Sequence, residues 1–88
     1  MNTTFLLQLS PGWDIEDEQI LYKKYTFPSF KEAFSFVSAV SELAEQQHHH
    51  PDICFGWGYV TLSLTTHYKK ALTDKDLSLA IAIDQILV

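Results

Sequence analysis

Cysteine is almost absent from this chain of 88 residues, because Cys54 is its single example. One cysteine cannot form an intrachain disulfide, which excludes the disulfide-rich class of small secreted domains and suits a reducing compartment. The N-terminal residues 1–7 have no basic segment, and their apolar run is too short for a signal peptide or a membrane span. We therefore expect a cytoplasmic protein without a membrane partner.

Positive charge is also scarce, with 6 basic against 11 acidic residues and a formal net charge of −5. The nearest approach to a basic stripe is the pair of doublets Lys23–Lys24 and Lys69–Lys70. Direct binding to nucleic acid is therefore not expected. Lys69–Lys70 is predicted to be a solvated turn, although it lies beside His67 and could meet an anionic substrate group.

Internal repeats, low-complexity tracts and linkers are likewise missing, so residues 1–88 are predicted to form a single domain. A chain of this length buries only roughly 60–65% of its unfolded surface. Small domains are often stabilised by self-association, and we expect a homo-oligomer, either a homodimer or a homotetramer.

The first half of the chain predicts a β-hairpin followed by a helix. A short strand around Trp13–Ile15, an acidic turn and a longer strand over Ile20–Phe27 follow the break at Ser10-Pro11-Gly12. Ser29 and Glu32 then form a capping-box pattern, and a helix of about 18 residues is expected to end before Pro51. The positions predicted to form its apolar stripe are Phe30, Ala33, Phe34, Val37, Val40 and Ala44.

The second half predicts another hairpin and another helix. Apolar and polar residues alternate from Ile53 to Thr66, with Gly56 and Gly58 at the turn, and Thr73 with Asp76 opens the last helix. That helix is apolar on nearly all sides, so we expect it to form a subunit interface. The order β-β-α-β-β-α predicts an α+β, two-layer domain: an antiparallel four-stranded sheet with both helices on one face.

The four histidines of the chain fall into two groups, His48-His49-His50 after the first helix and His67 at the end of the last strand. The topology allows both groups to share one cleft at an edge of the sheet. Imidazole titrates near pH ~6.5, so one ring can donate a proton while another accepts one, as a dehydration requires. A metal site is a weaker interpretation, because adjacent histidines rarely aim both rings at one ion.

The spacing Glu45-x-x-x-His49-His50-Pro51, followed by Trp57, His67 and Asp76, resembles the pterin-4a-carbinolamine dehydratase family. Further agreements are Gly12-Trp13, Phe27-x-x-Phe30 and Thr66-His67. The resemblance extends from about residue 12 to the C-terminus. It departs from the family pattern at His48, where an acidic residue is usual, at Ala71, where glycine is common, and in the N-terminal helix, which is largely absent.

The resemblance implies a hydro-lyase that converts 4a-hydroxytetrahydropterin to quinonoid dihydropterin and water in pterin cofactor recycling, without metal or cofactor. It implies catalytic roles for His49, His50 and His67. The substrate contacts that we expect beside them are Glu45, His48, Thr65, Thr66, Asp76 and Trp13.

Simpler explanations exist for several of these residues. Asp76 could be a helix cap only, Glu45 a solvated residue and Trp13 a core aromatic. The alternative function is a pterin-binding, molybdopterin-binding or protein-binding regulatory module without dehydratase activity, since the family in animals also acts as a dimerisation cofactor of a transcription factor.

Overall fold

The computed structural model describes residues 6–87. Its order of elements is the predicted β-β-α-β-β-α, with a short 3₁₀ turn at His67–Lys69 before the last helix. The elements are β1 (Asp14–Glu16), β2 (Ile20–Thr26), α1 (Phe30–Gln47), β3 (Asp52–Gly56), β4 (Tyr59–Leu64) and α2 (Asp74–Ile86).

The four strands form one antiparallel sheet in the order β1-β2-β4-β3, which confirms the predicted α+β fold. Alternation along β4 buries Val60, Leu62 and Leu64 on one face, where they join the core with residues of both helices. The polar residues between them lie on the opposite face, which the helices leave open. One face therefore carries the core, and the other is available at the sheet surface.

The apolar stripe of α1 is partly different from the predicted one. Ala33, Val40 and Ala44 are buried as expected, but Phe36 fills the core while Phe34 is 53% exposed. Phe30 is also half exposed, and both of these rings lie against Phe55 of β3. The prediction was wrong at Phe34 because that ring lies towards the sheet edge, where no further strand covers it.

Both ends of α1 depart in detail from the sequence expectation. The Ser29 hydroxyl accepts the Glu32 N–H as predicted, but it also donates to the Glu32 carboxylate, which therefore does not complete a reciprocal box. The helix ends because His48 adopts a left-handed conformation, with φ 53°, and its N–H bonds Ala44 and Glu45 carbonyls. The helix therefore ends at Gln47, before His50, the residue whose backbone Pro51 restricts.

The structure tests only some of the predictions made for the two ends of the chain. Leu6 and Leu7 are helical, whereas residues 1–5, on which the expected loss of the family's N-terminal helix also depends, lie outside the described residues. In α2, Leu79, Ala80 and Ile83 are fully buried and Ile81 is 38% exposed, so its role as a subunit interface stays a prediction. Within residues 6–87, the helices are all too short or too polar to cross a membrane.

Candidate active site

The two histidine groups meet at one end of the sheet. The left-handed His48 turns the chain away from α1, so that His49 and His50 lead into β3. On the other side, Thr65 and Thr66 connect the end of β4 to the 3₁₀ turn that begins at His67. Together these segments and α2 surround a cavity of about 240 Å³, which we call the histidine cavity. It is lined by residues 48–50, residues 65–68 and Lys75.

His49 is held from the side of the core by Asp76. Its Nε2 lies 2.6 Å from Asp76 Oδ1, and the Asp76 side chain is completely buried. The second carboxylate oxygen of Asp76 accepts hydrogen bonds from the Thr66 hydroxyl at 2.8 Å and from the Thr73 N–H at 2.9 Å. Asp76 therefore caps α2, as the sequence predicted, and also orients a histidine.

The hydroxyl groups around Asp76 have one consistent direction of donation. Thr73 Oγ1 accepts the Lys75 N–H and lies 2.7 Å from Thr66 Oγ1. Because Thr66 donates to Asp76, the Thr73 hydroxyl donates to Thr66. Both hydrogen bonds to Asp76 Oδ2, from Thr66 and from Thr73, are thus donated to the carboxyl group. The other oxygen, Oδ1, contacts His49 Nε2, so Nδ1 is the ring nitrogen of His49 that Asp76 does not engage.

His50 and Glu45 form a second carboxylate–imidazole pair in a different environment. The His50 Nε2 and Glu45 Oε2 atoms are 2.5 Å apart, but the side chains are 60% and 77% exposed. Water screens such a pair, so it contributes little to stability. Its effect is to orient the ring of His50 at the rim of the histidine cavity.

His48 and His67 are exposed, and no side chain within residues 6–87 hydrogen-bonds their rings. His67 lies on the wall of the histidine cavity, one residue beyond the buried Thr66. Thr65, also predicted as a substrate contact, donates its hydroxyl to the Gln19 carbonyl at 2.6 Å and still lines the cavity. The structure therefore brings together all of the predicted site residues except Glu45, which lies at the rim through His50, and Trp13.

Trp13 lies in the core and not in the histidine cavity. Its ring is 5% exposed, and its Nε1 donates to Asp84 at 2.8 Å. Asp84 also accepts hydrogen bonds from Lys23 and Tyr25. Burial tends to raise the pKa of Asp84, but these three donors together hold that pKa below its usual value. The substrate contact of Trp13 stays a prediction, whereas its packing is that of a core aromatic.

Two residues of the histidine cavity were missed by the sequence analysis. Tyr68 is 74% exposed, and the Lys75 ammonium lies 5.6 Å from the centre of its ring. Neither has a signal in the periodicity of the chain; only their positions next to His67 and Asp76 point to the site. No group of three or more His, Cys, Asp or Glu side chains in the described part of the chain could hold a metal ion.

Comparison with known proteins assigns the family. The family model described as Pterin 4 alpha carbinolamine dehydratase matches residues 2–86. A Rubrobacter xylanophilus protein named for pterin-4-alpha-carbinolamine dehydratase is 46% identical over 76 residues, which cover 86% of this chain and 71% of that protein. A Thermomicrobium roseum protein of the same name is 44% identical over 75 residues, covering 85% of this chain and 80% of its own length.

Two solved structures share the fold. A transcriptional coactivator/pterin dehydratase from Brucella melitensis superposes with a TM-score of 0.88 at 26% identity, covering 96% of this chain and 89% of its own. A pterin dehydratase-like protein described as a RuBisCO assembly factor in the alpha-carboxysome gives a TM-score of 0.72 at 25% identity, covering 85% and 88%. Given the match over nearly its whole length, the chain belongs to the pterin-4a-carbinolamine dehydratase family, a family of hydro-lyases.

Proposed function

We propose that this protein dehydrates 4a-hydroxytetrahydropterin to quinonoid dihydropterin and water, using His49 and His67 as an acid–base pair. The observation that carries the proposal is that both imidazoles line one cavity while the buried carboxylate of Asp76 holds one of them. In the reaction the C4a–O bond breaks, the N5–H bond breaks, and a C4a=N5 double bond forms. The leaving hydroxyl therefore needs a proton donor, and N5–H needs an acceptor.

His49 is the proposed proton donor. Asp76 is fully buried, and its partners other than His49 are neutral hydroxyl and N–H groups. In this proposal Asp76 acts as a carboxylate: a buried negative charge is strongly destabilising unless it is compensated, and the imidazolium form of His49 supplies the opposite charge. Its Nδ1–H then protonates the hydroxyl on C4a, while Nε2–H remains bonded to Asp76.

His67 is the proposed proton acceptor at N5. Its ring reaches the histidine cavity and also solvent, so a proton taken from the substrate can pass to water after the reaction. His50, oriented by Glu45, would contact the substrate or its leaving water at the rim. General acid and base catalysis by positioned side chains each contribute roughly 10²–10⁴-fold to a rate.

The decisive experiment is a direct assay of 4a-carbinolamine loss by the wild-type protein and by the variants His49→Ala and His67→Ala. We expect each substitution to lower kcat by about 10²–10⁴-fold. Lys69→Ala is the matched control, because Lys69 lies in the same 3₁₀ turn as His67 but does not line the histidine cavity. Wild-type turnover in the His67→Ala protein would contradict the scheme.

The alternative function, a binding module without dehydratase activity, is supported by one of the structural neighbours. That protein is described as a RuBisCO assembly factor although it is pterin dehydratase-like. Exposed aromatic residues that could meet a protein partner are also present here, including Trp57 at 72% exposure. If the wild-type protein binds a pterin in equilibrium dialysis but does not accelerate carbinolamine loss, this alternative replaces the enzyme.

A further inference from the structure

The proposed reaction leaves one large side chain of the histidine cavity without a role, the aromatic ring of Tyr68. Apart from this ring, the lining consists of histidine, threonine and lysine side chains. Binding sites for small heterocycles are lined mainly by apolar and aromatic surface, with a few polar groups that fix the orientation of the ligand. Tyr68 is therefore the side chain of this lining that offers a flat, mostly carbon surface to the ring of a ligand.

The backbone of Tyr68 is fixed, although its side chain is not packed in the core. Tyr68 is the middle residue of the 3₁₀ turn His67–Lys69. This turn is closed by a hydrogen bond from the Lys69 N–H to the Thr66 carbonyl at 3.0 Å. A ligand that covers the ring therefore has little backbone to bring into order.

One face of the Tyr68 ring already has a partner. The Lys75 ammonium lies 5.6 Å from the centre of the ring, a distance at which a cation is attracted to an aromatic face. Lys75 itself is held in the first turn of α2, where its N–H bonds Thr73 Oγ1 at 3.2 Å. Since Tyr68 is 74% exposed, the opposite face of its ring remains open to a ligand.

The proposed reaction assigns a different side of the pterin ring to each histidine that transfers a proton. C4a is tetrahedral in the substrate, and its bond to the hydroxyl breaks most easily when it stands perpendicular to the ring, so His49 approaches one face. N5–H lies near the plane of the ring, so His67 approaches an edge. The second face of the pterin is left for another side chain.

Tyr68 is placed to meet this second face. It follows His67 directly in the chain, within the segment 65–68, whereas His49 belongs to the segment 48–50. The first segment enters the cavity from the end of β4 and the second from the end of α1, so they line it from different sides. A pterin bound between them, with its edge at His67, has Tyr68 beside the face that points away from His49.

We propose that Tyr68 is a further substrate-contacting residue, which stacks on the pterin face opposite the departing hydroxyl and favours a flat ring over a puckered one. The orientation of the ring in this inference rests on the proposed function. When the C4a–O bond breaks and the C4a=N5 bond forms, C4a changes from tetrahedral to trigonal, and the ring flattens. Stacking gains contact as this happens, so the interaction is stronger in the transition state than with the substrate, which is the condition for accelerating the reaction.

The first measurement compares the binding of two pterins with the same substituents, the flat, fully oxidised pterin and the puckered 5,6,7,8-tetrahydropterin. Neither carries a 4a-hydroxyl group, so equilibrium dialysis in the absence of oxygen gives dissociation constants that are independent of turnover. Tyr68→Leu keeps an apolar side chain but removes the ring. We expect it to weaken binding of the oxidised pterin by about three- to tenfold and of the tetrahydropterin by less than about twofold. Tyr68→Phe, which keeps the ring, should retain the wild-type selectivity.

Turnover of a 4a-hydroxytetrahydropterin gives the second measurement. Tyr68→Leu should lower kcat by about three- to tenfold with little change in KM, because the contact is stronger once the ring has begun to flatten. Tyr68→Phe should recover most of this loss. Phe34→Leu is the matched control: it removes another exposed aromatic ring, at a residue that does not line the histidine cavity, and should behave as wild type in both measurements. Urea midpoints establish that each variant is folded.

The possible outcomes separate this inference from the proposed function. Equal weakening of both pterins in Tyr68→Leu, or no weakening of either, would overturn the stacking role. A Tyr68→Phe protein that loses selectivity as Tyr68→Leu does would also overturn it, because the hydroxyl and not the ring would then be responsible. An unchanged kcat in an active Tyr68→Leu protein would refute the contribution to the reaction. If the selectivity follows expectation but the wild-type protein turns over no carbinolamine, the stacking contact holds and the dehydratase function fails.

Discussion

Replacing Asp76 by asparagine tests the link between the buried carboxylate and His49. Asparagine has nearly the same shape, but it has one carbonyl oxygen and one NH₂ group in place of two acceptors. The oxygen can keep the two bonds from Thr66 and Thr73, which lie at 2.8 and 2.9 Å. The NH₂ group then faces His49 Nε2, which must accept a hydrogen bond instead of donating one.

This reversal should remove the acid from the proposed reaction. With Nε2 as an acceptor, His49 is neutral and carries its proton on Nδ1, from which a neutral imidazole gives up a proton far less readily than an imidazolium. The compensating charge of Asp76 is lost at the same time. We therefore expect Asp76→Asn to lower kcat by about 10²–10⁴-fold, the contribution of one general acid, with a much smaller change in pterin binding.

Asp74→Asn is the matched control for this substitution. Asp74 lies in the same first turn of α2 and is exposed, so both variants lose one negative charge near the helix N-terminus. That charge is worth typically about 0.3–1 kcal/mol of the free energy of unfolding. Asp74→Asn should share this small loss of stability and retain the wild-type kcat.

The assay is carbinolamine loss at neutral pH, together with urea unfolding of each variant to establish that the protein is folded. A folded Asp76→Asn protein with wild-type kcat would refute the reasoning, because His49 would then be acting without the carboxylate that we propose holds it protonated.

The remaining predictions concern Asp84, which joins the N-terminal segment, β2 and α2. Asp84→Ala leaves the Lys23 ammonium, only 12% exposed, without its ion-pair partner. We expect this substitution to lower the free energy of unfolding, measured in urea, by about 3–5 kcal/mol. The control Glu42→Ala, at an exposed residue, should stay within about 0.5 kcal/mol of the wild-type value. The pKa of Asp84 is lowered in the folded state, so Asp84 stabilises the protein above the usual pH range of carboxyl titration, and this stabilisation is lost as pH falls through the pKa of the folded state. If the free energy of unfolding of Asp84→Ala fell at acid pH in the same way as that of the wild type, this prediction would be wrong. Burial, together with the charge and hydrogen bond of Asp84, raises the pKa of Tyr25. The contribution of Tyr25 to the free energy of unfolding is therefore complete below pH ~10 and declines at higher pH. Urea midpoints that do not fall above that pH would contradict this prediction.

Local sequence patterns were sufficient for the elements of the fold. The alternation of β4, the Thr73–Asp76 capping box and the length of α1 were all predicted and are all present, because each depends on residues within a few positions of one another. The prediction of the apolar stripe of α1 was wrong at Phe34 because burial there depends on contacts with distant parts of the chain. Phe34 and Phe36 are both apolar and both fit a helical face, and only the position of the sheet edge decides which one is buried.

In the candidate site, too, some features follow from the sequence and others depend on tertiary contacts. The residue spacing identified the family and the three histidines that the family implies, since spacing is a property of the chain alone. It could not distinguish a capping role from a histidine-orienting role for Asp76, because the contact with His49 joins residues 27 positions apart. It also could not indicate that Tyr68 and Lys75 line the histidine cavity.

The sequence by itself thus determined the order of helices and strands, the N-cap residues Ser29 and Thr73 of the two helices, and the family. The tertiary structure alone decided which nitrogen of His49 is engaged, that Trp13 is packed in the core, and that the two histidine groups line one cavity. The physical reason is the range of the interactions. Backbone hydrogen bonding and side-chain periodicity act between near neighbours in the chain, whereas a cavity and a buried charge pair exist only after distant segments have packed together.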